Sequence, residues 1–227
     1  MSSYFHNFIF GYYPYIALMI FIVVSIAKYE YAQYEWKTAS SQMLDKRWFS
    51  LGSNLFHTGI ILLGIGHFFG LLTPEKVYTL MISPEKKQMV AMVCGGIFGM
   101  IAFFGCTILL VRRLFCLRVR ETSTKMDIII LLLIYFQLII GLLSIIISYE
   151  FTDANSMKSL ALWTQSIVYF NLNASDFIIH EHWLFKLHIF LGITFFLLFP
   201  FTRLLHILSI PVTYIFRTGY QIVRKRN

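Results

Sequence analysis

Charge is what this sequence has least of. Only 13% of its 227 residues are Asp, Glu, Lys or Arg, whereas 58% are hydrophobic, and mean hydropathy is +0.70. Soluble domains carry roughly 25% charged residues, so a water-soluble globule of this composition is excluded. Cysteine is sparse too. Cys94, Cys106 and Cys116 form no CxxC pair, no zinc-type spacing and no CxxCH haem-attachment motif, and they read as small apolar packing residues. The N-terminus lacks the basic start of a secretory signal, and its apolar stretch is too long for a cleaved one. It reads as a retained helix with Tyr12, Tyr13 and Tyr15 at the membrane interface. Internal repeats and low-complexity tracts are missing, and the loops are too short for a Rossmann unit or an iron–sulfur cluster.

What the sequence does have is long runs without charge. Residues 1–27, 48–74, 88–111 and 128–149 contain no Asp, Glu, Lys or Arg. A fifth run, 184–210, is interrupted only near its ends, by Lys186 and Arg203, whose long side chains can reach back to the headgroups. About 20 apolar residues cross a bilayer as one helix, so the expected fold is an all-α, five-transmembrane-helix bundle in a single domain, 1–227. Of the 19 Lys and Arg residues, 14 lie in 28–47, 112–127 and the tail from Arg203. The positive-inside rule then places the N-terminus outside and the C-terminus in the cytoplasm of a multi-pass cell-membrane protein. The net charge of +8 is thus a topological signal and implies no nucleic acid. In the outer segment 150–183, residues 157–170 are apolar enough for a short surface helix.

Four of the seven histidines, His57, His67, His188 and His206, fall inside spanning runs. The pair His180 and His182 could bind a metal, but two ligands with no third make a weak site. A single intramembrane histidine is explained by an interhelical hydrogen bond or a wet cavity. Depth makes these four different. His57 and His67 lie about 15 Å apart along the second helix, and His188 and His206 about 27 Å apart along an antiparallel fifth helix, if both are regular. Depth therefore pairs His67 with His188 and His57 with His206. Two imidazole pairs at two depths are what bis-histidine ligation of two haems between the second and fifth helices requires. With no CxxCH, these would be b-type. Ser53, Gly64, Gly70 and Gly192, each about a turn from a ligand, offer a surface for a flat ring; close helix packing is their other reading. Electrons crossing such a wire need a lipid-soluble donor on one side and a protein partner on the other. The loops 28–47 and 112–127 and the tail offer a basic docking face, with Trp36 and Trp48 as interfacial aromatics. A haem-free transporter relaying protons through its histidines is the reading from another class.

The stretches ASSQMLDKRW, SNLFHTGIILLGIGHFFGLLTPE, RRLFCLRVR and FKLHIFLGITFFLLFPFTRLLHILSIPVTY resemble the cytochrome b (gamma) subunit of membrane-bound respiratory nitrate reductase, in order and across essentially the whole chain. That resemblance implies a quinol-oxidising, dihaem membrane anchor used in anaerobic respiration. One b haem would be liganded by His57 and His206 on the cytoplasmic side, and the other by His67 and His188 on the outer side. It implies quinol oxidation near the outer haem. Electrons would then pass inward to an iron–sulfur beta subunit and a molybdenum-containing alpha subunit, where nitrate becomes nitrite. By the same resemblance Lys87 and Gly66 belong to the quinol site, with the adjacent Lys86 competing for the lysine role. A dihaem b subunit of another membrane-bound quinone-linked reductase is the alternative.

Overall fold

Each charge-free run forms a helix, since in hydrocarbon only a helix satisfies every backbone group within one segment. The computed structural model describes residues 2–32, 44, 48–150 and 154–209. Trp36 and the tail from residue 210 lie outside them. Among the described residues, five helices are long and apolar enough to cross a membrane: Tyr4–Tyr31, Phe49–Leu72, Pro84–Phe115, Lys125–Glu150 and Trp183–Phe201. They are called the first to fifth helices below.

Local chemistry sets their ends. In the first helix a widened π turn, Phe8–Tyr12, precedes Pro14, whose ring donates no N–H and crowds the carbonyl four residues back. The third helix opens with Ser83 as cap, accepting from the Lys86 N–H at 3.5 Å, then Pro84 and Glu85 in its first turn. The fourth opens on a reciprocal cap: Asp127 N–H donates to Thr124 Oγ1 (3.2 Å) and Thr124 N–H to Asp127 Oδ2 (3.1 Å). His182 caps the fifth, its Nδ1 accepting from the Leu184 N–H at 3.2 Å. Lys186 turns back to donate to the Ile179 carbonyl at 2.7 Å, as a basic residue near a helix end should.

The fifth helix departs from the expected continuous run to residue 210. Its α-helix stops at Leu198, a 3₁₀ turn covers Phe199–Phe201, Thr202 is extended (φ −122°, ψ 172°), and a second 3₁₀ segment covers Arg203–Ser209. Pro200 cannot continue the hydrogen-bond ladder. Thr202 Oγ1 meets the freed groups, donating to the Phe199 carbonyl (2.8 Å) and accepting from the Leu204 N–H (3.2 Å). His206 is therefore on a different segment from His188, and the 27 Å regular-helix spacing does not apply.

The second helix packs on the third, the third on the fourth, the fourth on the fifth, and the fifth on the first. Glycines set the closest approach. A Cβ at Gly59 would lie 2.5 Å from Ala102 N, and one at Gly105 would overlap the Phe56 backbone. Two clusters form the core, one around Ala102, Cys106, Ile134, Leu138 and Leu205, the other around Phe10, Ala17, Trp163 and Ile178. Of the cysteines only Cys106 is buried; Cys94 is exposed. The short helix expected over 157–170 spans Asn155–Val168. It ties the ends of two long helices: Trp163 Nε1 donates to the Phe10 carbonyl (3.0 Å), and Gln165 Nε2 to the Leu71 carbonyl (2.9 Å). Among the described residues, the second and fifth helices have no extensive backbone packing on each other. They flank a slot.

Candidate functional site

The four histidines face one another across this slot. Ring centroids lie 6.4 Å apart in the pair His57–His206 and 6.3 Å apart in His67–His188. Two imidazoles on opposite sides of one metal, each bonded at about 2.0 Å, have centroids roughly 6 Å apart. The planes cross at 65° in the first pair and 36° in the second.

Three of the rings are held in one tautomer by the backbone. Nδ1–H of His57 donates to the Ser53 carbonyl at 2.7 Å, that of His67 to the Leu63 carbonyl at 2.8 Å, and that of His206 to the Arg203 carbonyl at 2.6 Å. Nδ1 is thereby the protonated nitrogen and Nε2 keeps its lone pair, the arrangement ligating histidines use. His188 differs. Its Nδ1 is buried without a hydrogen-bond partner among the described residues, and its Nε2 lies 3.5 Å from the Gln137 amide nitrogen, which donates to the His188 carbonyl at 3.0 Å. Gly141 makes room for this ring, since a Cβ there would sit 3.0 Å from His188 Cε1.

The glycines near the ligands split into two kinds. A Cβ at Gly192 would lie 3.4 Å from Gln137, an ordinary packing contact. At Gly64, Gly66 and Gly70 nothing else among the described residues lies within 4 Å of where a side chain would begin. Close packing between helices, the other reading of these residues, is done instead by Gly59 and Gly105. The donor set, the ring spacings and this side-chain-free wall all fit a flat macrocycle with two axial imidazoles. Among the described residues no group of three or more His, Cys, Asp or Glu side chains could hold a bare metal ion.

At the His57 end, charges are paired within the bundle. Arg203 Nε donates to Asp127 Oδ1 at 2.7 Å, and Arg113 Nη1 lies 3.5 Å from Asp127 Oδ2. Through Asp127, Arg203 joins the fifth helix's extension to the third and fourth helices. Arg112 is buried with its guanidinium 4.9 Å from the Phe49 ring centre. The expected basic face of 112–127 therefore begins at Arg118 and Arg120, which are exposed.

At the His67 end, Lys87 lies in the first turns of the third helix. Its Nζ is buried, has no hydrogen-bond partner among the described residues, and sits 3.7 Å from the centre of the Tyr78 ring. Lys86 is exposed. A buried ammonium whose N–H groups meet no acceptor is costly unless a ligand takes them.

Comparison with known proteins decides the family. The family model described as nitrate reductase gamma subunit matches residues 6–226. This chain belongs to the nitrate reductase gamma subunit family. It is similar to the respiratory nitrate reductase 1 gamma chain of Escherichia coli (strain K12), 48% identical over 97% of each chain. The respiratory nitrate reductase 2 gamma chain of the same organism is 46% identical over the full length of both. The nitrate reductase gamma chain of Bacillus subtilis (strain 168) is 38% identical over 96% of this chain and 97% of its own. Family membership and five apolar helices together make it a multi-pass membrane protein. Sequence reasoning had not singled out Gln137, Gly141, Asp127 or Tyr78. Both Gln137 and Asp127 carried a signal, Gln137 as a polar residue in the middle of an apolar run and Asp127 as a charge at the start of the same run. Tyr78 carried none.

Proposed function

We propose that this chain is the quinol-oxidising cytochrome b subunit and membrane anchor of a respiratory nitrate reductase in the cell membrane. Its N-terminus and the His67 end face outside, and its C-terminus and the His57 end face the cytoplasm. The observation that carries this reading is the pair of facing imidazole couples, with Nδ1 of three rings committed to backbone carbonyls. His57 and His206 would hold one haem b on the cytoplasmic side, and His67 and His188 a second on the outer side. When bound, the haems supply one-electron redox chemistry at both depths of the membrane.

The protein's own residues do the rest. Lys87 offers three N–H donors and a positive charge at the same end of the bundle as the outer pair. It can hydrogen-bond a quinol ring oxygen and stabilise negative charge there as the O–H bond breaks. Its burial singles it out over the exposed Lys86. Gly66 leaves the helix surface beside His67 open to a ring. Quinol loses two protons and two electrons; the protons leave at the outer face and the electrons pass to an iron–sulfur beta subunit docked on the cytoplasmic side. A molybdenum-containing alpha subunit then reduces nitrate to nitrite. Asp127, Arg113 and Arg203 fix the segment that carries His206.

Purification of the intact complex from membranes tests the assignment. The detergent-solubilised complex should contain two b haems per copy of this chain, iron–sulfur clusters and molybdenum cofactor, and should couple quinol oxidation to nitrate reduction. A chain that purifies alone without b-type absorbance would overturn it.

A further inference from the structure

The Tyr78–Lys87 contact lies where the proposed quinol site meets the outer segments. We infer that Tyr78 is a positioning residue of that site, holding the Lys87 ammonium on its ring face so that the N–H groups remain free for the quinol oxygen. The inference rests on the reading of this chain as quinol-oxidising. Lys87 Nζ has no hydrogen-bond partner among the described residues, yet it is buried and lies 3.7 Å from the ring centre. A ring face attracts a cation through its quadrupole without occupying an N–H donor. A carboxylate in the same place would use up those donors.

The ring is itself firmly held. Tyr78 ends the short helix Glu75–Tyr78 and is 8% exposed. Its carbonyl accepts from the N–H groups of Met81 and Ile82, both at 2.9 Å, which closes the turn leading to the third helix. Beyond it lies a small chamber of about 20 Å³, lined also by Thr73, Glu75, Lys158 and Gln165. An ion pair of 2.8 Å between Lys158 and Glu75 and the hydrogen bond from Gln165 to Leu71 clamp the helix Asn155–Val168 over that chamber. Burial pushes the Tyr78 phenol above its ordinary pKa, and neighbouring Glu75 adds to the rise. The phenol is therefore neutral under physiological conditions. A tyrosinate–ammonium ion pair is thereby excluded; Glu75 attracts the ammonium from further off but is taken up in its pair with Lys158, and the ring face is the group in contact.

Tyr78→Leu, Tyr78→Phe and Lys87→Ala test the inference in the assembled complex, with a short-chain naphthoquinol as donor. Tyr78→Leu should raise the quinol KM about tenfold, the scale of a desolvated cation–π contact, and change kcat much less. Both haem absorbances, and nitrate reduction from an artificial donor that feeds the cytoplasmic subunits directly, should be retained. Tyr78→Phe should restore the KM to within about twofold, because the ring alone is needed. If Tyr78→Leu fails to assemble, fluorinated phenylalanines at position 78 preserve the shape while weakening the ring's negative face, and KM should climb with each fluorine. A normal KM in Tyr78→Leu, a Phe variant as impaired as Leu, or a KM indifferent to fluorination would overturn the inference while the Lys87→Ala defect left the quinol site standing. A normal Lys87→Ala would remove the site and the inference together.

Discussion

Replacement of either His57 or His206 by Ala should abolish one b haem, and replacement of His67 or His188 the other, because each iron needs both axial imidazoles. Redox titration of haem absorbance in each variant is the check; His57→Ala and His67→Ala losing the same component would break the pairing. Lys87→Ala should lower quinol-driven turnover at least tenfold with both haems in place, whereas Lys86→Ala should be near normal, since Lys86 is exposed and Lys87 Nζ is buried without a hydrogen-bond partner. Side-by-side assays of the two variants decide between these lysines. At this scale the sequence was eloquent about the histidines. A titratable ring in an apolar run stands out, and depth needs only residue order along an axis. That is why the pairing emerged although His206 sits beyond a helix break. Tyr78 was silent because its partner is nine residues away across a turn, and no periodicity connects them.

Among the elements, the glycines divide by what faces them, and their substitutions should divide too. Gly105→Val would force a side chain into the Phe56 backbone, and should cost about 1–3 kcal/mol through separation of the second and third helices. Gly64→Val meets nothing among the described residues, so the protein should keep its thermal stability before haem is added yet take up less haem at the His67–His188 pair. Melting curves and haem content of the two variants, read together, separate the roles. The long apolar runs made all five long helices legible, and the apolar stretch 157–170 the short helix Asn155–Val168. Pro200 signals the stop at Leu198, but the apolar residues continue past it on both sides, so length and hydropathy alone run the helix on. The partner of Arg203 was not legible for a physical reason: a basic residue near a helix end can reach the headgroups or find a buried acid, and only the fold brings Asp127 near. Asp127→Ala should strand the Arg113 and Arg203 guanidinium groups inside the bundle, at a cost of about 3–5 kcal/mol, and loosen the segment bearing His206. The cytoplasmic-side haem should then be lost or shifted in potential before the outer one.

For the whole molecule, the proposed orientation makes turnover electrogenic. Carrying an electron inward against a negative interior costs about 2.3 kcal/mol per 100 mV. In sealed vesicles, quinol-driven nitrate reduction should release acid on the outer side and slow as the potential rises, and an uncoupler should restore the rate. Acid appearing on the cytoplasmic side instead would reverse the orientation. The order of the helices around the bundle has a further consequence, for the nascent chain. The first helix leans on the last: the Tyr13 hydroxyl lies 3.0 Å from Thr194 Oγ1, and Phe21 meets Phe196 and Phe199 edge to face. Roughly 180 residues separate those partners, and a ribosome adding about 5–20 residues per second takes on the order of 10–40 s to make them. For that interval the first helix must remain in the bilayer by its own hydrophobicity, with its Tyr13 hydroxyl and its aromatic face turned to lipid. Assembly ends where synthesis began, with the fifth helix closing over the first.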